Sequence, residues 1–274
     1  MPEPALRQIR NGIAWLEKGQ GEPLLLIHGV GLNAEAWEPQ IAALSKTCRV
    51  IALDMPGHGA SALRGAELAD YVAQAAGLLD ELGIAQANVV GHSMGGLVAI
   101  GLALAQPERV LRLGVLNSVY ERPPDARRAV EARAAEIALS GTCGDIEQPV
   151  RRWLGEGDTP LHRQLRAWLS AMDPAAYAQA YKIFAAGDRL FSGRLGALTM
   201  PALFAAGSDD PNSTPEMAEA MAAAAPRGTA AVLAGQRHMM TLVDAEGATR
   251  LIRDLLSQPL ESVQARRRFL DERR

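Results

Sequence analysis

A serine set between two glycines is the most chemically specific element of the sequence. In Val89-Val90-Gly91-His92-Ser93-Met94-Gly95-Gly96 an apolar run of strand character passes into a segment of helical spacing across Gly-x-Ser-x-Gly. A serine on so sharp a turn holds its hydroxyl clear of the backbone. Side chains two positions either side would strike the neighbouring strand and helix, so glycine is needed at 91 and 95. Ser93 is the candidate nucleophile, but a serine hydroxyl is a weak one until an imidazole takes its proton and a carboxylate orients the imidazole. On a strand-to-helix turn of this kind the chain order is serine, acid, histidine. His238, in Gly235-Gln236-Arg237-His238-Met239, is the last of the five histidines and the candidate base. The acid should follow the preceding strand, where Gly207-Ser208-Asp209-Asp210-Pro211 offers two carboxylates. Pro211 pushes Asp210 towards extended backbone and fixes where its side chain points, which favours Asp210 over Asp209. Acyl chemistry also needs amides to hold an oxyanion. Met94 supplies one directly after the serine, and Val30 the second from the glycine-rich turn His28-Gly29-Val30-Gly31. His28 and His92 are read as structural.

These groups have to be carried to one edge of a sheet, and the sequence alternates in the way such a sheet requires. Short apolar runs bounded by Gly, Pro or Asp at 24–28, 50–53, 88–91, 110–116, 202–206 and 230–233 read as buried strands. Helical spacing fills 34–45, 67–82, 94–106, 215–224 and 244–257, which predicts a largely parallel α/β sheet. Asn11-Gly12, between residues 7–10 and 13–18, is a hairpin signal and places an antiparallel edge at the start. Residues 120–197 break the rhythm, since about 80 residues separate a pair of neighbouring strands where two to six are usual. Leu161, Leu165, Trp168, Leu169 and Met172 recur with helical period there. Pro123, Pro149, Pro160 and Pro174 divide the segment into four expected helices. The predicted organisation is a core of residues 1–119 and 198–274 carrying a helical cap of residues 120–197.

With these motifs the chain resembles the α/β-hydrolase superfamily, from residue 24 to residue 257. Asp54-Met55-Pro56-Gly57-His58-Gly59-Ala60-Ser61 is similar to the turn that follows the next strand in that superfamily, where it is structural, and His58 is read so. The resemblance implies the α/β-hydrolase fold, a mostly parallel central sheet flanked by helices with a helical cap insertion. It also implies the acid at Asp210, three residues after the strand-ending Gly207. His28-Gly29, the Gly-His-Ser-Met-Gly turn and the long insertion resemble carboxylesterases, enol-lactonases of the 3-oxoadipate type and carbon–carbon hydrolases of ring cleavage.

Composition narrows the rest. With 28 basic and 31 acidic residues the formal charge is −3, which argues against nucleic acid as partner. Cys48 and Cys143 lack the spacing of a metal knuckle or redox pair. No leader-like start and no long apolar run is present, so a soluble cytoplasmic protein without a membrane is expected. Arg266 to Arg268 with Arg273 and Arg274 read as a solvated helix end. Trp153, Trp168, Tyr177, Tyr181, Phe184 and Phe191, six of the twelve aromatics, lie within residues 120–197. The i, i+4, i+7 spacing of Tyr177, Tyr181 and Phe184 favours core packing over a pocket wall. Ten arginines in the same segment leave a carboxylate clamp unassignable, although an arginine would be the natural one. The expected function is hydrolysis of a small ester or lactone by Ser93, Asp210 and His238, with Val30 and Met94 holding the oxyanion and no cofactor or metal. Carbon–carbon hydrolysis, a small-molecule sensor on the same fold and a cofactor-free peroxidase are the alternatives. Oligomeric state is left open.

Overall fold

The computed structural model describes residues 5–260, so the basic tail read above as a helix end lies outside the described residues. Eight strands form one sheet: β1 (Leu6–Arg10), β2 (Ile13–Lys18), β3 (Glu22–Ile27), β4 (Cys48–Leu53), β5 (Ala87–His92), β6 (Val110–Leu116), β7 (Ala202–Gly207) and β8 (Gly228–Leu233). Their spatial order is β1-β2-β4-β3-β5-β6-β7-β8. The first two are antiparallel, joined through Asn11 and Gly12 at φ 51° and 74°. From β4 to β8 every pairing is parallel.

A parallel sheet must be covered on both faces, because side chains alternate between them along each strand. In β3, Leu25 and Ile27 join one apolar cluster while Leu24 and Leu26 join the other. Helices α1 (Glu38–Leu44), α2 (Leu68–Glu81), α3 (Met94–Ala105), α8 (Pro215–Ala224), α9 (Met240–Val243) and α10 (Ala245–Leu256) belong to these layers. Leu78 and Leu79 of α2 and Leu97 and Val98 of α3 seal the first cluster. Ile41 and Leu44 of α1 with Ile252 and Leu255 of α10 seal the second. The strand β8 departs from the expectation of burial: it is the outer strand, with Thr229, Ala230 and Val232 exposed. Its apolar residues serve backbone pairing with β7 more than core packing.

Between β6 and β7, which are neighbours in the sheet, lie α4 (Pro124–Ser140), α5 (Glu147–Leu154), α6 (Pro160–Ser170) and α7 (Pro174–Ala186). Proline opens α4, α6 and α7, where its missing N–H is one the first turn could not pair anyway. The Asp173 carboxylate caps α7 by accepting from the Ala176 amide at 2.8 Å. The four expected helices are present, with Pro149 marking the start of α5 to within two residues. It is the third residue of α5, still within the turn whose amides have no helical partner.

The ends of this crossover are fastened by one buried carboxylate. Asp188 Oδ1 lies 3.3 Å from Arg122 Nη1 and Oδ2 lies 2.8 Å from Arg127 Nη2, with Asp188 and Arg122 both under 5% exposed. The Arg122 amide also donates to Oδ2 at 2.9 Å. Removing the acid would leave a buried guanidinium without its counter-charge, so Asp188→Ala is expected to cost about 3–5 kcal/mol. Denaturant unfolding checks this, and a change below about 1 kcal/mol would show the cluster to be energetically idle.

Candidate active site

Parallel strands end on the same side of a sheet, so the loops leaving their carboxyl ends converge there. The turn after β3 carries Val30, the turn after β5 carries Ser93, and the loops after β7 and β8 carry Asp210 and His238. Ser93 sits at φ 56° and ψ −121°, a strained conformation for a residue with a Cβ. The turn tolerates nothing larger than glycine on either side. A Cβ at Gly91 would lie 2.0 Å from the Gly95 carbonyl oxygen, and one at Gly95 would lie 2.2 Å from that of Ile27.

His238 Nε2 stands 3.0 Å from Ser93 Oγ, and its Nδ1 stands 2.7 Å from Asp210 Oδ2. With Nδ1–H donating to the carboxylate, Nε2 is left as the acceptor for the serine proton. Asp210 is buried, whereas Asp209 is exposed and, among the described residues, its carboxylate accepts only from the Ser208 hydroxyl at 2.7 Å. Burial works to raise the Asp210 pKa. The charge and hydrogen bond of His238, the Asn212 amide and the Asn117 carboxamide outweigh it, holding the carboxyl below its ordinary 3.8. Asp210 therefore stays ionised at neutral pH.

Sequence reasoning missed Asn117. It follows β6 at φ 48°, donates through Nδ2 to Asp210 Oδ2 at 2.9 Å, and so shares the oxygen that faces the imidazole. Its neighbour Ser118 donates to the Ser93 carbonyl at 2.8 Å. An Asn closing a buried strand, able to adopt positive φ, was the available signal. Trp153 of α5 was singled out only as an aromatic; its ring stacks on that of His238 at 5.9 Å and 26°.

The amides of Val30 and Met94 donate to no group among the described residues, and Met94 opens α3, where orphan amides and the helix dipole favour negative charge. Three buried histidines hold the surrounding turns. His28 Nε2 accepts from the Met55 amide at 3.0 Å, His58 Nε2 accepts from the Gly31 amide at 3.1 Å, and His92 Nε2–H donates to the His238 carbonyl at 2.8 Å. Burial pushes His58 down to about 4 and His92 down to about 3, and lowers His28 as well. The unfolded chain takes up these protons near 6.5 while the folded chain refuses them, so stability falls as pH drops from about 6.5 towards 4. The slope is at most about 1.4 kcal/mol per pH unit for each ring. A lower denaturant midpoint at pH 5 than at pH 7 is expected; equal midpoints would mean that these rings charge freely in the fold.

Above Ser93 lies a pocket walled by the sheet-end loops through Val30, Leu32 and Met239, and by three helices of the crossover. The crossover contributes Val130 and Arg133 from α4, Gln148, Arg152 and Trp153 from α5, and Tyr177, Tyr181 and Phe184 from α7. The expected core role of the α7 aromatics is thus incomplete. They pack on the apolar cluster and also line this pocket, while Phe191 is buried outside it and Trp168 faces a separate surface groove. Among the described residues no group of three or more His, Cys, Asp or Glu is placed to hold a metal, and no helix is long and apolar enough to cross a membrane.

Residues 24–250 match the model of the α/β hydrolase family. The chain belongs to this family. It is 43% identical over 236 residues to an Acinetobacter baylyi (E)-2-((N-methylformamido)methylene)succinate hydrolase, spanning 85% of this chain and 89% of that one. A thermophilic esterase from Thermogutta terrifontis, solved with malate bound, superposes with a TM-score of 0.80 at 27% identity, over 93% of this chain and 97% of the esterase. The enol-lactonase from Burkholderia xenovorans LB400 shares the fold, with a TM-score of 0.81 at 24% identity over 92% of this chain and all of its own. This chain is accordingly a hydrolase-family member that resembles an esterase and shares its fold with an enol-lactonase.

Proposed function

We propose that the protein is a serine hydrolase that cleaves a small ester or lactone through an acyl-enzyme. The observation that carries this reading is the unbroken relay from Ser93 Oγ through His238 to Asp210, at 3.0 and 2.7 Å, opening into a pocket. Ser93 attacks the acyl carbon as His238 Nε2 takes the hydroxyl proton, and the oxyanion is held by the Val30 and Met94 amides. Collapse expels the alcohol, which receives that proton. Water, deprotonated by the same imidazole, then releases the acid and regenerates Ser93. No step requires a cofactor. Residues 120–197 act as the cap and choose the substrate, since the remaining sheet-end loops fix only the reaction.

A second reading has a specific support. The Acinetobacter relative is named for a substituted methylenesuccinate that carries a formamide and neither an ester nor a ketone, so the relay in this chain would act on an amide carbon–nitrogen bond. Purified protein should be incubated with short-acyl esters, lactones, vinylogous diketones and the relative's substrate, and trapped adducts mapped by mass. Ester or lactone turnover with an acyl or fluorophosphonate adduct on Ser93 supports the first reading. Turnover confined to the non-ester compounds supports the second. An adduct on another serine, or none with any turnover substrate, overturns both.

A further inference from the structure

We propose that the pocket above Ser93 is an anion site, in which Arg152 and Arg133 take a carboxylate at the end of the acyl group remote from the reacting carbonyl. The proposal rests on the hydrolase reading for which end reacts, but the anion site itself is independent of turnover. It starts from a charge imbalance. Arg133 and Arg152 line the pocket, and no Asp or Glu does. Asp210 does not line it either and is already engaged with His238, Asn117 and the Asn212 amide.

The two guanidinium groups differ in what already occupies them. Arg133 Nη1 donates to the exposed Glu136 at 2.9 Å and Nη2 to the Asp145 carbonyl at 3.1 Å. Arg152 has no acidic partner among the described residues. Its one side-chain hydrogen bond there is a long one, 3.4 Å from Nη1 to Asn212 Oδ1, and Asn212 also lines the pocket. A third guanidinium, Arg122, lies 4.5 Å over the Phe184 ring but is neutralised by Asp188. Arg152 and Arg133, from α5 and α4, both line the pocket and both bear on the Tyr181 phenol, so two positive groups face one cavity. Gathering like charges is unfavourable, and an anion bound between them removes that cost.

A carboxylate suits the chemistry of this wall. A guanidinium presents a planar fork that matches two oxygens, and the phenol of Tyr181 adds a neutral donor beside it. Trp153, Tyr181 and Phe184, each half-buried, supply the apolar part of the wall, while Arg152 itself is exposed at the pocket's edge. The oxyanion amides stand at the sheet side and the arginines at the helical side of one cavity. The substrate class that spans it is a short bifunctional acid, acylated at one end and ionised at the other.

Monoethyl succinate and ethyl butyrate test this, since they share a leaving group and differ at the far end by carboxylate against methyl. Hydrolysis is followed at constant pH by titrating the acid released. Wild-type protein is expected to prefer monoethyl succinate. In Arg152→Gln the ratio of the two kcat/KM values should fall about ten- to a hundredfold, the loss of a charge-assisted hydrogen bond, and chiefly through KM. Arg152→Lys should recover some of it, as charge survives without the fork. In parallel, calorimetric titration of succinate should show binding to wild-type protein that weakens by a like factor in Arg152→Gln and further in Arg133→Gln/Arg152→Gln. An unchanged ester ratio in the double variant, or succinate binding that ignores both arginines, overturns the proposal. If neither ester is hydrolysed the hydrolase reading suffers, and the succinate titration alone decides the anion site.

Discussion

Replacing Ser93 with alanine is expected to lower kcat/KM by about 10⁴- to 10⁶-fold on whichever ester or lactone the wild-type protein turns over. The serine is the only hydroxyl hydrogen-bonded to His238 Nε2 among the described residues, so no second nucleophile can stand in. His238→Ala should lose nearly as much, because the two act as one unit and their effects are not additive. A residual advantage of about 10³ to 10⁴ over water should survive from the Val30 and Met94 amides and from binding. The fold should survive too: alanine bears the φ of 56° no worse than serine does, and the glycines that clear space for the turn are untouched. Thermal unfolding separates a chemical defect from a folding one. A folded Ser93→Ala protein with activity within tenfold of wild type, after removal of any background hydrolysis, would end the acyl-enzyme reading.

Most of the sheet was legible because buried parallel strands are written as continuous apolar runs. The runs at 24–28, 50–53 and 88–91 correspond to β3, β4 and β5 within two residues at each end. The outer strand β8 was read as buried for the same reason. Thr229 to Val232 has the composition of a core strand, and nothing local records that β8 is the outer strand of the sheet among the described residues. Pro149 located the start of α5 only to within two residues. A proline ends a helix from its interior but is harmless in the first turn, and the sequence does not show which of these positions it holds.

At the site, local grammar carried further than periodicity. The Gly-x-Ser-x-Gly turn and the Asp-Pro step are short-range constraints on backbone shape, so Ser93 and Asp210 could be singled out from a few residues each. The α7 stripe of Tyr177, Tyr181 and Phe184 shows the limit of the other kind of signal. Spacing tells which face of a helix turns inward, but not whether the space inside is filled by the core or left as a cavity. Arg133 and Arg152 could not be chosen among ten arginines, because their meeting depends on how α4 and α5 pack. Asn117 was hidden by distance along the chain: it touches a carboxylate 93 positions away.

Asp210→Asn is expected to reduce turnover by roughly 10⁴-fold while leaving the fold intact. The native carboxylate accepts from three sides, the His238 Nδ1 and the Asn117 carboxamide on Oδ2, and the Asn212 amide on Oδ1. A carboxamide has one acceptor oxygen for these three donors. If that oxygen stays with the Asn212 amide, the new NH₂ faces both Asn117 and the imidazole. The ring then relieves the clash by moving its proton to Nε2, where it can no longer accept from Ser93. If the carboxamide turns over, the imidazole keeps its tautomer, but the new NH₂ confronts the Asn212 amide and the negative charge that stabilised an imidazolium is still gone. Either way general-base catalysis is lost. Asp209→Asn should change turnover by less than tenfold, since Asp209 is exposed and its carboxylate is hydrogen-bonded, among the described residues, to the Ser208 hydroxyl alone. Steady-state kinetics on the two variants, with unfolding midpoints to verify folding, decides between the acids. A larger loss in Asp209→Asn than in Asp210→Asn would move the orienting carboxylate one residue back along the chain.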